Sequence, residues 1–99
     1  MLISEFIDRT GYVPSEREYH HVIEPAYMKH PYNKDVFCRD WLVEQLAELH
    51  RLLSAVESAL KRGNPVTENA LKDYAEFAKR CAVFSAKLAE LVLKTNPIK

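Results

Sequence analysis

Glycine, cysteine and long apolar runs are all scarce in this chain. Only 2 Gly occur in 99 residues, and few segments alternate apolar with polar residues at period two, which argues against a sheet-rich fold. The longest apolar runs are three or four residues, far short of the roughly 18 that a membrane span requires. The opening Met1-Leu2-Ile3-Ser4-Glu5 has no basic leader ahead of an apolar stretch, so the expected compartment is the cytoplasm. Net charge is also absent: 14 Lys/Arg balance 14 Asp/Glu. What remains is an ordinary globular composition, 47% hydrophobic and 28% charged, long enough for one domain over residues 1–99 and too short for two.

The balance of charge conceals an asymmetry. Residues 1–50 hold 5 Lys/Arg against 9 Asp/Glu, a net of −4, and residues 51–99 hold 9 against 5, a net of +4. An acidic first half laid against a basic last helix gains diffuse attraction, and a molecule so polarised also favours antiparallel self-association.

Two stretches carry one apolar rhythm. Leu42, Leu46, Leu49, Leu53, Val56 and Leu60 form the first, and Ala70, Tyr74, Phe77, Cys81, Phe84, Leu88 and Leu91 the second. Spacings that alternate between four and three place each set along one side of an α-helix. Between them Gly63 suits a left-handed helix end, and either Asn64-Pro65 or Thr67 suits a restart. The expected fold is all-α: a long antiparallel helical hairpin, about 34–62 and 66–94, packed with one or two short helices from residues 1–32. Pairing about Asn64 sets Leu49 and His50 at the level of Cys81. Four-residue spacings such as Glu68 with Lys72, Glu76 with Arg80 and Glu90 with Lys94 add small helical support.

Local signals divide the N-terminal third. Leu2, Ile3, Phe6 and Ile7 share a face of a first helix that Thr10-Gly11 ends. Ser15 and Glu18 make a capping box for a second helix, with Tyr19, Val22, Ile23, Ala26 and Tyr27 expected inward. Pro25 lies inside that helix and predicts a kink or break near Glu24. Asn33 caps the first long helix, with Asp35 in its first turn.

A single seam leaves the flanks of a two-helix hairpin wet. The last helix has a second stripe, Ala75, Ala78, Ala82, Ala86 and Ala89, that admits a close neighbour. The cover is either the aromatic N-terminal segment, giving a three-to-four-helix monomer, or the hairpin of a second copy, giving a homodimer. Tyr12, Tyr19, Tyr27, Tyr32 and Trp41 gather toward the open end of the hairpin. They either close the bundle or form a partner-binding patch, a use to which Tyr and Trp are suited.

Candidate chemistry is thin. Cys38 and Cys81 differ in height by roughly 15 Å in the expected register, so they read as separate thiols. Cys81 sits on the seam, while Cys38, near a helix start, has the better claim to reactivity. His20, His21, Glu24 and His30 lack the spacing of a zinc site, and no Glu-x-x-His of the di-iron kind occurs, so no metal ligands or cofactor are assigned. A nucleophile elbow and a phosphate-cradling loop are missing too, and the chain is read as a non-enzyme with no catalytic residue. Lys72, Lys79, Arg80, Lys87 and Lys94 give the last helix a basic character, but Glu68, Asp73, Glu76 and Glu90 interrupt it.

Arg9-Thr10-Gly11-Tyr12-Val13-Pro14-Ser15, followed by Tyr19, Val22-Ile23-Glu24, Ala26-Tyr27-Met28 and Lys34-Asp35-Val36-Phe37-Cys38, resembles a stretch in small uncharacterised proteins of gut bacteria and of their phages or integrative elements. The resemblance spans residues 6–42. It implies a mobile-element setting and carries over no catalytic residue. The functional expectation is a small helical protein–protein interaction or structural module that self-associates or binds a protein partner. The alternative is a nucleic-acid-associated accessory factor of a phage or integrative element, against which the acidic charges interspersed on the last helix weigh.

Overall fold

The computed structural model describes residues 1–30 and 33–95. These form four helices and no strand: α1 (Ile3–Thr10), α2 (residues 16–29), α3 (Lys34–Lys61) and α4 (Glu68–Thr95). No helix among the described residues is long and apolar enough to cross a membrane.

Each helix end is set by the residue type found there. Gly11 closes α1 at φ 73°, its N–H donating to the Ile7 carbonyl at 2.7 Å. A side chain there would also crowd Val83, whose Cγ1 lies 3.1 Å from where a Cβ would sit. Ser15 starts α2 by accepting the Glu18 N–H at 3.1 Å. The Glu18 carboxylate takes the Tyr12 hydroxyl at 2.9 Å, so its half of the expected capping box is given to a neighbouring segment. Asn33 starts α3 by accepting the Val36 N–H at 2.8 Å. Its far end is a Schellman turn, Asn64 N–H to the Ala59 carbonyl at 2.9 Å and Gly63 N–H to Leu60 at 3.1 Å, with Gly63 at φ 73°. Of the two restart signals Thr67 is the one used, its hydroxyl accepting the Ala70 N–H at 3.1 Å.

The break expected near Glu24 takes the form of a π turn. Helix α2 runs as α over Glu16–Glu18, widens over Tyr19–Ile23, and resumes as α over Glu24–Lys29, with the Glu24 N–H reaching back to the Tyr19 carbonyl. Pro25 donates no hydrogen bond, and its ring would clash with the carbonyl four residues earlier in a regular helix; widening the preceding turn accommodates it without ending the helix. The extra residue in that turn changes the phase of the face. Tyr19 and Ile23 stay buried, but Val22, expected inward, is 60% exposed.

Helices α3 and α4 pack antiparallel, and α1 packs against both. Phe6, Tyr19 and Ile23 join Phe37, Cys38, Leu42, Leu46, Leu49, Phe84 and Leu91 in one core at the open end of the hairpin. Toward the turn the cover thins: Tyr74 and Phe77 are half-buried, and Leu60, expected on the seam, is 51% exposed. The radius of gyration is 15.8 Å, against about 13 Å for a compact domain of this length, because the paired helices project beyond the core.

The charged halves meet at Asp35. Its carboxylate takes Arg9 from α1 at 2.6 Å and Lys94 from α4 at 3.0 Å, while Lys34 reaches Glu5 at 2.7 Å. The tertiary pull overrides local pairing: Lys94 leaves Glu90 for Asp35, and Glu90 faces Lys87 at 3.8 Å instead. The expected Glu68–Lys72 pair does form, at 3.5 Å. Burial pushes the Asp35 carboxyl up, but the hydrogen bonds from Arg9 and Lys94 outweigh it and hold it below its usual value.

Leu49→Ala should cost about 2–5 kcal/mol as a core truncation, and the exposed Glu57→Ala well under about 1 kcal/mol. Chemical denaturation of the two variants checks this, and equal losses would contradict the assigned seam. Because folding lowers the Asp35 pKa, its stabilisation is complete above the unfolded value, about 4, and is lost as pH falls through the folded one. Asp35→Asn should therefore melt lower at neutral pH and show a shallower fall in melting temperature on the acid side than the parent chain.

Candidate functional site

Of the aromatic residues expected at the open end of the hairpin, Tyr12, Tyr19, Tyr27 and Trp41 lie among the described residues, and each packs there against the core. Trp41 is the hub: its ring centroid lies 5.0 Å from Phe6, 5.4 Å from Tyr12 and 5.7 Å from Phe84. Tyr12 sits in the connection between α1 and α2, edge-on to Phe84 at 6.0 Å, with the Arg80 guanidinium 5.9 Å over its ring. Burial, and then the bond to Glu18, push the Tyr12 hydroxyl pKa up.

The five rings proposed as a partner-binding patch divide. Tyr19 is 2% exposed and its hydroxyl donates to the Met1 carbonyl, so it is a wall of the bundle and presents nothing to a partner. Tyr12, Tyr27 and Trp41 are half-buried, Tyr27 resting edge-on to Phe37 at 5.4 Å. Tyr32 lies outside the described residues.

Between α2 and α3 the rings border an open groove of about 480 Å³. Val22, Ile23, Ala26 and His30 line it from α2 and the residue after it, Phe37, Asp40, Trp41, Glu44 and Gln45 line it from α3, and His30, Asp40 and Glu44 are its exposed polar members. The groove follows from the π turn, which carries Val22 to the rim. Sequence periodicity placed Val22 in the core and so missed the groove. Pro25 within a helix was the signal that the local geometry departs from 3.6 residues per turn.

A second uncovered feature runs along the outer side of α4. Ala75, Ala78, Ala82, Ala86 and Ala89 are all exposed. The N-terminal helices pack elsewhere, around the open end, so the segment offered as one cover for this stripe does not cover it. Leu71 (45% exposed), Ser85 and Val92 (39%) extend the stripe into a seam of Leu71, Ala75, Ala78, Ala82, Ser85, Ala89 and Val92, with spacings of four and three in strict alternation.

Four of the five basic residues of α4 are spent separately, and the fifth, Lys79, is exposed. Lys72 pairs with Glu68, Lys87 reaches the Asp8 carbonyl at 3.2 Å, Lys94 binds Asp35, and Arg80 lies over Tyr12. His20 lies 3.6 Å from Glu24, and no group of three or more His, Cys, Asp or Glu converges among the described residues.

Cys38 was the stronger candidate for a reactive thiol, and its setting reverses that ranking. It is fully buried, 4.0 Å from the Met1 sulfur, and burial pushes its pKa up to about 11. The helix start cannot offset this desolvation, so the thiol stays protonated at neutral pH. Both cysteines are free, and Cys81 is half-buried, its pKa also raised by burial.

Comparison with known proteins finds no matching family model, no matching curated protein and no matching solved structure.

With a thiol-reactive disulfide reagent at neutral pH, the folded chain should react first at Cys81, with Cys38 modified only at the rate of unfolding. Peptide mapping after partial labelling checks the order; Cys38 labelled first would contradict its assigned burial.

Proposed function

We propose that this chain is a small helical protein-interaction module that pairs with a second copy of itself through the outer face of α4. The observation that carries the reading is the uncovered seam from Leu71 to Val92, apolar or small at each of seven positions and exposed along its length. Small side chains let helix axes approach to the short end of the usual 8–10 Å range.

Two further features support it. The chain exposes 6976 Å² at 11.5 kDa, against roughly 5,800 Å² for a compact monomer of that mass. The surplus is of the order of the 800 Å² or so that each partner contributes to a standard interface. The seam is also compatible with two-fold pairing. In an antiparallel arrangement centred on Ala82, Leu71 of one copy meets Val92 of the other, Ala75 meets Ala89, and Ala78 meets Ser85. Lys72 then comes within a turn of Glu90 across the pair, opposite in sign.

Size-exclusion chromatography with light scattering tests the reading across micromolar concentrations. The parent chain should shift from monomer to dimer as concentration rises. Ala82→Glu, which places two like charges at the two-fold, should weaken the dimer at least about tenfold, or about 1.4 kcal/mol, with little change in the melting temperature of the monomer. A parent chain that stays monomeric throughout overturns self-association.

A further inference from the structure

We infer that the groove between α2 and α3 is a docking site for an arginine side chain carried by a protein partner, with apolar residues flanking that arginine. The inference rests on the groove and its charge, and is independent of pairing through α4.

The floor and the rim call for different parts of one ligand. Phe37 and the half-buried Trp41 offer aromatic surface, and Val22 and Ala26 oppose them with aliphatic surface. Asp40 and Glu44 stand above, four residues apart on one helix and therefore on the same face. Two carboxylates so placed repel each other, which an isolated helix avoids. Arg39 donates to one Asp40 oxygen, at 3.2 Å from Nη2 and 3.3 Å from Nε, and the other accepts no hydrogen bond among the described residues. A cation seated between the two carboxylates relieves their repulsion, and Trp41 on the same lining is the side chain best suited to cation–π contact.

The guanidinium suits this setting better than an ammonium. It is planar, stacks on aromatic rings, pairs side-on with a carboxylate and is more weakly hydrated, so less is lost on entering a groove with apolar walls. Trp41, on the groove lining, also carries an indole N–H, a donor suited to a backbone carbonyl of the incoming segment. The volume of about 480 Å³ lies within the range of small-ligand pockets, roughly 300–1,000 Å³, and accommodates the arginine together with part of its flanking chain. Nucleic acid is disfavoured by the same carboxylates, which repel phosphate.

The test uses the full chain, labelled with ¹⁵N, and three capped tripeptides: acetyl-Leu-Arg-Leu-amide, its lysine analogue and its citrulline analogue, citrulline being the neutral isostere of arginine. Trp41 is the sole tryptophan, so its indole cross-peak is a single, self-assigned reporter. The arginine peptide should shift that peak saturably in the millimolar range, with Val22 and Ala26 moving alongside. The citrulline peptide should bind at least about fivefold more weakly, and the lysine peptide should fall between the two. Glu44→Gln, at an exposed position, should keep the fold and reduce the preference for arginine over citrulline to about twofold or less. Equal binding of the arginine and citrulline peptides overturns the charge assignment, and equal binding of arginine and lysine overturns the guanidinium assignment. Shifts confined to α4, or none at the highest peptide concentration, overturn the site itself.

Discussion

The contact on which the rest of the structure depends is Phe6 seated edge-on against Trp41. A hairpin of two helices cannot dry both flanks of its own seam, and the open end would leave Trp41, Phe84 and Leu91 wet. Helix α1 is only eight residues long and is held by what it brings to that gap: a fully buried Phe6 and Thr10, with Arg9 on Asp35 at its edge. Thr10 is buried at no polar cost, because its hydroxyl donates to the Phe6 carbonyl at 2.8 Å and accepts the Tyr12 N–H at 3.2 Å. That second bond starts the chain on the path that lays Tyr12 over Trp41 and Phe84.

From this fixed point packing weakens along the hairpin. The aromatic end is bounded by four segments, whereas the stretch beyond Leu53 is bounded by two helices alone. The clamp at Asp35 reinforces the same end, joining α1, α3 and α4 through one carboxylate. Among the described residues the charge asymmetry between the halves of the sequence is thereby used at one partly buried ion pair, and most other charges stay exposed.

Much of the fold was legible in the sequence because its signals act over four residues or fewer. Ser15, Asn33, Thr67, Gly11 and Gly63 each terminate or start a helix by satisfying backbone groups close by in the chain, and each does so at the expected place. The two apolar seams were legible for a similar reason, since their period alone defines a face. What escaped depends on partners distant in sequence. Lys94 abandons Glu90 because Asp35, fifty-nine positions earlier, offers a drier site. Glu18 serves Tyr12, only six positions away, instead of its own helix end, because packing on the distant Trp41 and Phe84 brings that hydroxyl within reach. Val22 was misplaced because proline perturbs the turn before it, and periodicity counts residues without seeing that turn widen. The reactivity expected of Cys38 failed on burial, which no spacing reveals. As a result the groove, the site with the most specific chemistry, was the part least visible in the sequence.

The turn at Gly63 has one more consequence. No atom lies within 4 Å of where a side chain on Gly63 would begin, the residues from Lys61 to Pro65 are all exposed, and the adjoining helix ends are sealed by their own caps. Foreign sequence spliced between Asn64 and Val66 would meet neither the core nor the groove. The far end of the hairpin is thus the natural point at which to graft a reporter.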